Sequence, residues 1–419
     1  MKKILMMACA TTMLLAGQAM ATNGDQMLGI TAMQWARGGA IVASPTDAPS
    51  VLYNPAAAGM LDIDSVAFDL GSGLLHAERS ISNRMISTDS DSENYFAVGA
   101  GVVGKISDKL YFGLAAGGVA GLGTDFAQSL GPDEATAVVT TKGLLKLTPT
   151  IAYKPTDKLS IGFSPQIGYQ TLALSNAKFD MPQTGEFGFG ASVGAIYEVS
   201  PEVQIGASYT SEMNISEYEF HGVFDADGPG TSFDPVSGTY LMDMDAPASA
   251  AFGVAFTPLD DFLLVEVDVK WIGFSDVMDS VELKGVPVSP ANPTGTETIS
   301  FGWEDQIVYS LGVEISPFDS CTLRLGYNYG ETGIDPEDVQ FNLGAIATIE
   351  HHLSLGVSKQ WTPNLMSTLS YTHGFENSVT GDVQVGMAPD GEGGMTPVMV
   401  SHTLEASQDI VYFQLSYRM

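Results

Sequence analysis

The side chains able to do chemistry are few and scattered. The six histidines are His76, His221, His351, His352, His373 and His402, and none stands in the His-Glu-x-x-His spacing of a zinc site. His351 and His352 fall together at the expected start of a strand, where neighbours point to opposite faces, so joint chelation is not expected. No Gly-x-Ser-x-Gly elbow offers a nucleophilic serine. The only cysteines are Cys9 and Cys321, too few for a disulfide framework or a thiolate metal site. The sequence therefore predicts no catalytic residue, no metal and no cofactor.

Charge is placed more regularly. Val265, Val267, Val269 and Trp271 share one parity, and Glu266, Asp268 and Lys270 share the other. Glu314 lies opposite Leu311, Val313 and Ile315, and Arg324 lies opposite Leu323 and Leu325. On strands, such patterns give one apolar and one charged face. Arg37 is the only basic residue between Thr22 and Asp62. A buried guanidinium needs a partner, and its fork suits a carboxylate. Arg37 is expected to pair with Asp268 or Glu266, and after them with Glu314. In the alternative, the wall charges pair among themselves and Arg37 reaches water.

The elements that would carry these residues read as β-strands. Leu353, Leu355 and Val357 alternate with Ser354, Gly356 and Ser358, and Ile205, Ala207 and Tyr209 alternate with Gly206 and Ser208. Period-two alternation means one apolar and one polar face. In a soluble sandwich the apolar face points inward; in a membrane barrel it meets lipid. Periodicity leaves both open, and two other features choose.

The first is the N-terminus. Lys2 and Lys3, an apolar stretch from Ile4 to Ala16 and Ala19-Met20-Ala21 follow the plan of a secretory signal peptide, residues 1–21. The second is the pattern of connections. Tight ones at 105–109, 154–158, 199–202, 257–261, 316–320 and 359–364 alternate with long acidic ones, and five of the six tight ones contain proline. Short turns at one end and long loops at the other suit an outer-membrane barrel, and the count gives roughly fourteen strands over residues 63–419. Strand starts are expected near Ser65, Asn94, Leu110, Gly143, Leu159, Phe187, Val203, Ala246, Phe262, Trp303, Cys321, Glu350, Leu365 and Thr403. The fold class is thus all-β, a fourteen-stranded antiparallel transmembrane barrel. Its partners would be membrane lipid, lipopolysaccharide and the barrel-assembly machinery, and it is expected to act as a monomer.

The net charge is −32, and −34 without Lys2 and Lys3, so phosphate repulsion argues against nucleic acid. Asp89 to Glu93 and Asp225 to Gly228 could hold divalent ions against lipopolysaccharide, but neither has a full calcium-loop spacing, and solvated acidic surface is the plainer reading.

Residues 22–62 fit no strand. They are rich in small residues and turn formers, yet they contain Trp35, Val51, Leu52 and Tyr53. A periplasmic tail is one reading; a plug or hatch inside the lumen is the other. Arg37-Gly38-Gly39-Ala40 and Tyr53-Asn54-Pro55-Ala56 resemble the hatch motifs of the FadL family of fatty acid and hydrocarbon transporters. Further along, Leu147 to Tyr153, then Val267 to Trp271 with Phe274-Ser275, then Leu323 to Tyr327 are similar to later segments of that family. The resemblance implies a fourteen-stranded barrel plugged by its hatch. It also implies passive uptake of long-chain fatty acids or hydrocarbons, with hatch movement and a sideways exit through the wall.

A lateral exit requires a break in strand pairing, and glycine marks such breaks. Gly117, Gly118 and Gly121 of the third strand are the candidates; alternatively these glycines make room beside the plug. Tyr218, Phe220, Phe224 and Phe233 are expected to form an apolar capture groove at the mouth, or else to pack the loop against its neighbours. Asn54 and Pro55 are expected in a tight turn. A diffusion porin and a structural or adhesive barrel are the competing functions. Because lipases exist on such barrels, an enzyme is a minor reading.

Overall fold

In a computed structural model, residues 22–126, 138–176, 178–225, 235–259, 262–287, 294–389 and 394–419 are described. The signal peptide expected at 1–21 and Phe233 lie outside them.

Fourteen long strands form the wall. In chain order they are β1 (Val66–Ser82), β2 (Asn94–Ser107), β3 (Leu110–Asp125), β4 (Val139–Thr156), β5 (Leu159–Ser175), β6 (Phe179–Ser200) and β7 (Val203–Thr210). Then follow β8 (Ser249–Leu259), β9 (Leu263–Ile272), β10 (Gln306–Phe318), β11 (Cys321–Gly330), β12 (His351–Thr362), β13 (Leu365–Pro389) and β14 (Met395–Arg418). Each pairs antiparallel with the next, and β1 pairs with β14 from Ala67↔Arg418 to Ser82↔Thr403, which closes the barrel. Closure removes the two open edges that a fourteen-stranded sheet would otherwise expose.

The apolar parity faces outward. Leu353, Leu355 and Val357 on β12 are exposed, while Ser354 and Ser358 are buried. Phe413, Leu415 and Tyr417 on β14 are likewise exposed, and Gln414 and Ser416 buried. A soluble sandwich would invert this; apolar outside and polar inside is the arrangement for lipid. Among the described residues no helix is long and apolar enough to cross a membrane.

Eleven of the fourteen strand starts fall within three residues of expectation. The exceptions are β4, which starts four residues early at Val139, and β6 and β14, which start eight residues early at Phe179 and Met395. These strands continue beyond the lipid-facing band, where no alternating apolar face marks them. Two further hairpins occur in segments expected to be loops, Tyr218–Phe224 with Val236–Met242 and Ser280–Val286 with Gly295–Ser300.

Candidate functional site

Residues 22–62 lie inside the barrel, where Trp35, Arg37, Val51 and Asn54 are all fully buried. The segment holds one short helix, α1 (Ala32–Ala36), and two 3-10 turns, Ala48–Leu52 and Pro55–Gly59. Asn54 and Pro55 stand in a tight turn, closed by the Ala57 amide donating to the Asn54 carbonyl at 2.9 Å, and the turn runs on as the second 3-10 stretch. Asn54 caps it, its side chain accepting from the Ala56 amide at 3.0 Å. Pro at the first helical position suits such a start, since its missing N–H would have no partner there. Ala56 in turn accepts from Ser160 Oγ of β5, and its neighbour Tyr53 lines the internal cavity.

Charge fixes this segment to the wall. Arg37 donates to Glu266 of β9 and, at 2.9 Å, to Glu314 of β10. Glu314 also pairs with Arg324 of β11 at 2.9 Å. Asp268 does not receive the guanidinium; it accepts the Ile41 and Val42 amides at 2.7 and 3.0 Å. Glu266 accepts the Ala43 amide as well. Geometry explains the division of labour: Asp268 sits one residue pair above Glu266 on the inward face, level with the loop after Arg37. That loop turns through Gly38 at φ +60°, and a Cβ on the facing Gly326 would stand 2.1 Å from the Gly38 nitrogen. Only glycine on both sides permits this approach.

A second anchor lies across the lumen. Asp47 accepts from Gln34, Ser50 and Gln414 of β14, while Asp69 of β1 accepts the Ala48 amide at 2.8 Å and Arg418 at 2.9 Å. Removing one member of such a buried pair costs roughly 3–5 kcal/mol.

The wall breaks between β2 and β3. Their ladder runs from the tight turn to Gly99↔Gly117 and stops there. Above it, Asn94 to Val98 still pair with β1, and β3 still pairs with β4 through a register shift between Gly118 and Ala120. The in–out alternation of β3 ends at the same point, and every residue from Val119 to Thr124 is buried. This stretch has turned into the lumen, where the N-terminal segment bonds to it. Gly121 donates to the Asp25 carbonyl at 2.8 Å, and Met27 donates to the Val119 carbonyl at 2.9 Å. The three candidate glycines fall at the break. A Cβ on Gly117 would press on Ile30, whereas one on Gly118 would meet nothing within 4 Å.

Polarity is ordered along the lumen. On β9 the inward residues climb from Glu266 through Asp268 and Lys270 to Ile272. At the level of Lys270 lies an internal cavity, also lined by Lys146, Gln166, Asn23 and Asn328. Above it an apolar cluster fills the mouth, with Leu144, Met213, Met244, Phe274 and Trp303. Tyr218, Phe220 and Phe224 belong to that cluster and are buried, so they do not form an open capture groove. Their alternation in a hairpin turns them onto the lumen instead of to solvent. Asp25, Lys142, Lys146 and Asp69 stand in no motif of the sequence. Lys142 and Lys146 share the inward parity of Thr148 and Thr150, a signal that was available.

A barrel whose apolar face meets lipid, with a charged lumen that the N-terminal segment enters and one interrupted ladder, is the architecture of an outer-membrane protein. The chain belongs to the family described as outer membrane protein transport protein (OMPP1/FadL/TodX), which it matches over residues 8–386. Its members are transport channels of the outer membrane for hydrophobic compounds. The fold is similar to the toluene transporter TodX of Pseudomonas putida (TM-score 0.75, 18% identity, 93% of this chain and 99% of that one). A FadL homologue of Pseudomonas aeruginosa (0.74, 16%, 94% and 99%) and the toluene transporter TbuX of Ralstonia pickettii (0.71, 19%, 93% and 98%) are similar too. A search of curated proteins by sequence finds no match.

Proposed function

We propose that this chain takes up long-chain fatty acids or other hydrophobic molecules and releases them sideways through the seam between β2 and β3. The observation that carries this reading is the halted β2–β3 ladder beside a stretch of β3 turned wholly inward. An apolar solute gains about 25 cal/mol for each Å² withdrawn from water, so a lateral path into lipid is favoured over an aqueous one. Residues 22–62 act as the hatch. Their fixed anchors at Glu266, Asp268 and Asp69 oppose an open pore for polar solutes, and therefore the porin reading. The part before Ile30 is held instead by the bonds of Asp25 and Met27 to β3 and by the pair of Asp25 with Lys142 of β4 at 2.9 Å, and it is the part that moves. The test is uptake of labelled oleate and toluene by cells with and without the protein, alongside single-channel conductance. Uptake without a large stable conductance supports the reading; a large open pore without uptake overturns it.

A further inference from the structure

A strap crosses the mouth of the barrel. Residues 331–350 join β11 to β12, which are neighbours in the wall, so a short turn would have sufficed. The chain instead reaches to the far side. The Gly344 carbonyl accepts from Thr124 Oγ1 of β3 at 3.2 Å, and Gly344 packs against Thr140 of β4, half-way round the wall from β11. On the way Val339, Ile346 and Ile349 pack with Ile81 of β1, Phe126, Val379 of β13 and Leu404 of β14. Ala345 and Ala347 join the apolar cluster of the mouth. The strap therefore spans the lumen and covers that cluster.

Its attachment differs from that of the wall. Each wall strand is held by ladders, whereas residues 331–350 pair with no strand. Side chains hold them. Asn342 is fully buried; its Nδ2 donates to the Phe301 carbonyl at 2.6 Å, and its Oδ1 accepts from Trp303 at 2.7 Å. Thr348 and Asn377 of β13 exchange two bonds, each of 2.8 Å. Charge works against this seat. Asp338 is set against Gly302, where any side chain would collide with its carboxylate. Partial burial, and then the carboxylates of Glu337, Asp335, Asp279 and Glu304, push the Asp338 carboxyl up. Asp279 and Glu304 belong to the side on which the strap rests, so like charges meet across the junction. A segment held by a few side-chain bonds and opposed by charge opens at lower cost than the ladders around it.

We propose that residues 331–350 are the entry gate of the channel. The gate is closed at rest, latched by Asn342 to residues 301–303, and it lifts when an apolar solute enters beneath it. The solute takes over the apolar contacts that the strap gives up, which lowers the cost of opening. Because the covered surface is apolar, the gate admits charged-headed and neutral solutes alike. Its purpose rests on the transport reading, while closure itself is a property of the fold.

The test locks the strap. A Cβ on Gly344 would stand 3.5 Å from the Thr140 Cβ, and a disulfide needs about 3.5–4.5 Å between those atoms. The Val138 side chain, whose Cγ1 would lie 2.8 Å from the new Cβ, is cut back by Val138→Ala. In a Cys321→Ser background, Thr140→Cys with Gly344→Cys then oxidises to a bridge between the strap and β4. Full-length protein in a non-ionic detergent is mixed with bromododecane, a neutral quencher, and tryptophan fluorescence is followed. Trp271→Phe and Trp361→Phe leave only Trp303 and Trp35, both buried inside the barrel. The bridge should slow quenching about tenfold or more, and reduction should restore the rate, which also shows that the variant is folded. Asn342→Ala removes the latch and should speed quenching about tenfold, the scale of one or two buried hydrogen bonds. In cells the bridged protein should lose uptake of oleate and of toluene alike, and regain both on reduction. Equal quenching of the bridged and reduced forms, Asn342→Ala quenching no faster than the wild type, or full uptake by the bridged protein would each overturn the gate. Gated quenching in a protein whose wild type takes up neither solute would sink the transport reading and leave the gate standing.

Discussion

Arg37→Met should loosen the N-terminal segment without unmaking the barrel. The guanidinium is fully buried and bonds to Glu266 and Glu314. Removing it leaves Glu266, itself buried, facing the lumen with only the Ala43 and Ser44 amides as donors. Breaking one side of a buried ion pair costs roughly 3–5 kcal/mol. Glu314 keeps Arg324 at 2.9 Å, and Glu266 keeps its two amides, so the low end, about 3 kcal/mol, applies. Each 1.4 kcal/mol is a factor of ten, which makes opening of this loop about a hundredfold more frequent. The Ile41, Val42 and Ala43 amides bond directly to Asp268 and Glu266 and report on that opening. Hydrogen exchange at these amides should accelerate about a hundredfold, while amides of the β12–β13 ladder stay protected. Exchange within a factor of two of the wild type would refute the anchoring role and show that packing alone holds the segment.

Gly326→Val places a side chain where a Cβ alone would stand 2.1 Å from the Gly38 nitrogen, so residues 37–44 should be displaced and become cleavable by added protease in a barrel that still runs as folded on gels. Leu355→Arg puts a cation on the lipid face of β12, where the cost is about 2–4 kcal/mol near the midplane; urea unfolding in lipid vesicles should report a loss of that size. Phe220→Ala opens a void in the buried cluster at the mouth, and a loss of about 3–5 kcal/mol from local stability should appear as faster proteolysis of the 218–242 hairpin.

The barrel was legible because lipid imposes a strict rule. Leu353, Leu355 and Val357 must face outward together, so period two survives in the sequence wherever the strand crosses the membrane. Beyond the membrane the rule lapses, and the early starts of β6 and β14 carry no such mark; Tyr218, Phe220 and Phe224 do alternate with polar neighbours, but within a segment whose length and acidity read as a loop. Arg37 was legible as the one cation of its segment, and its partners followed from strand parity. Parity does not give height along the barrel, which is why Asp268 and Glu266 could not be told apart. Asp25 and Lys142 were not legible as a pair, because they meet through the fold of a segment with no periodicity. The aromatic residues of 218–224 left a capture groove and packing within the loop both open; the hairpin that buries them depends on pairing with Val236–Met242, on the far side of the loop.

The exit through the seam is the central claim, and one measurement meets it directly. Gly118 borders the break and has open space where a side chain would stand. In a Cys321→Ser background, Gly118→Cys can be labelled with a bulky maleimide after the barrel has assembled, and Leu355→Cys on the lipid face of β12, away from the seam, serves as the control. Labelling at position 118 should abolish oleate uptake by intact cells, and labelling at position 355 should leave it unchanged. Full uptake with position 118 blocked would contradict the lateral exit.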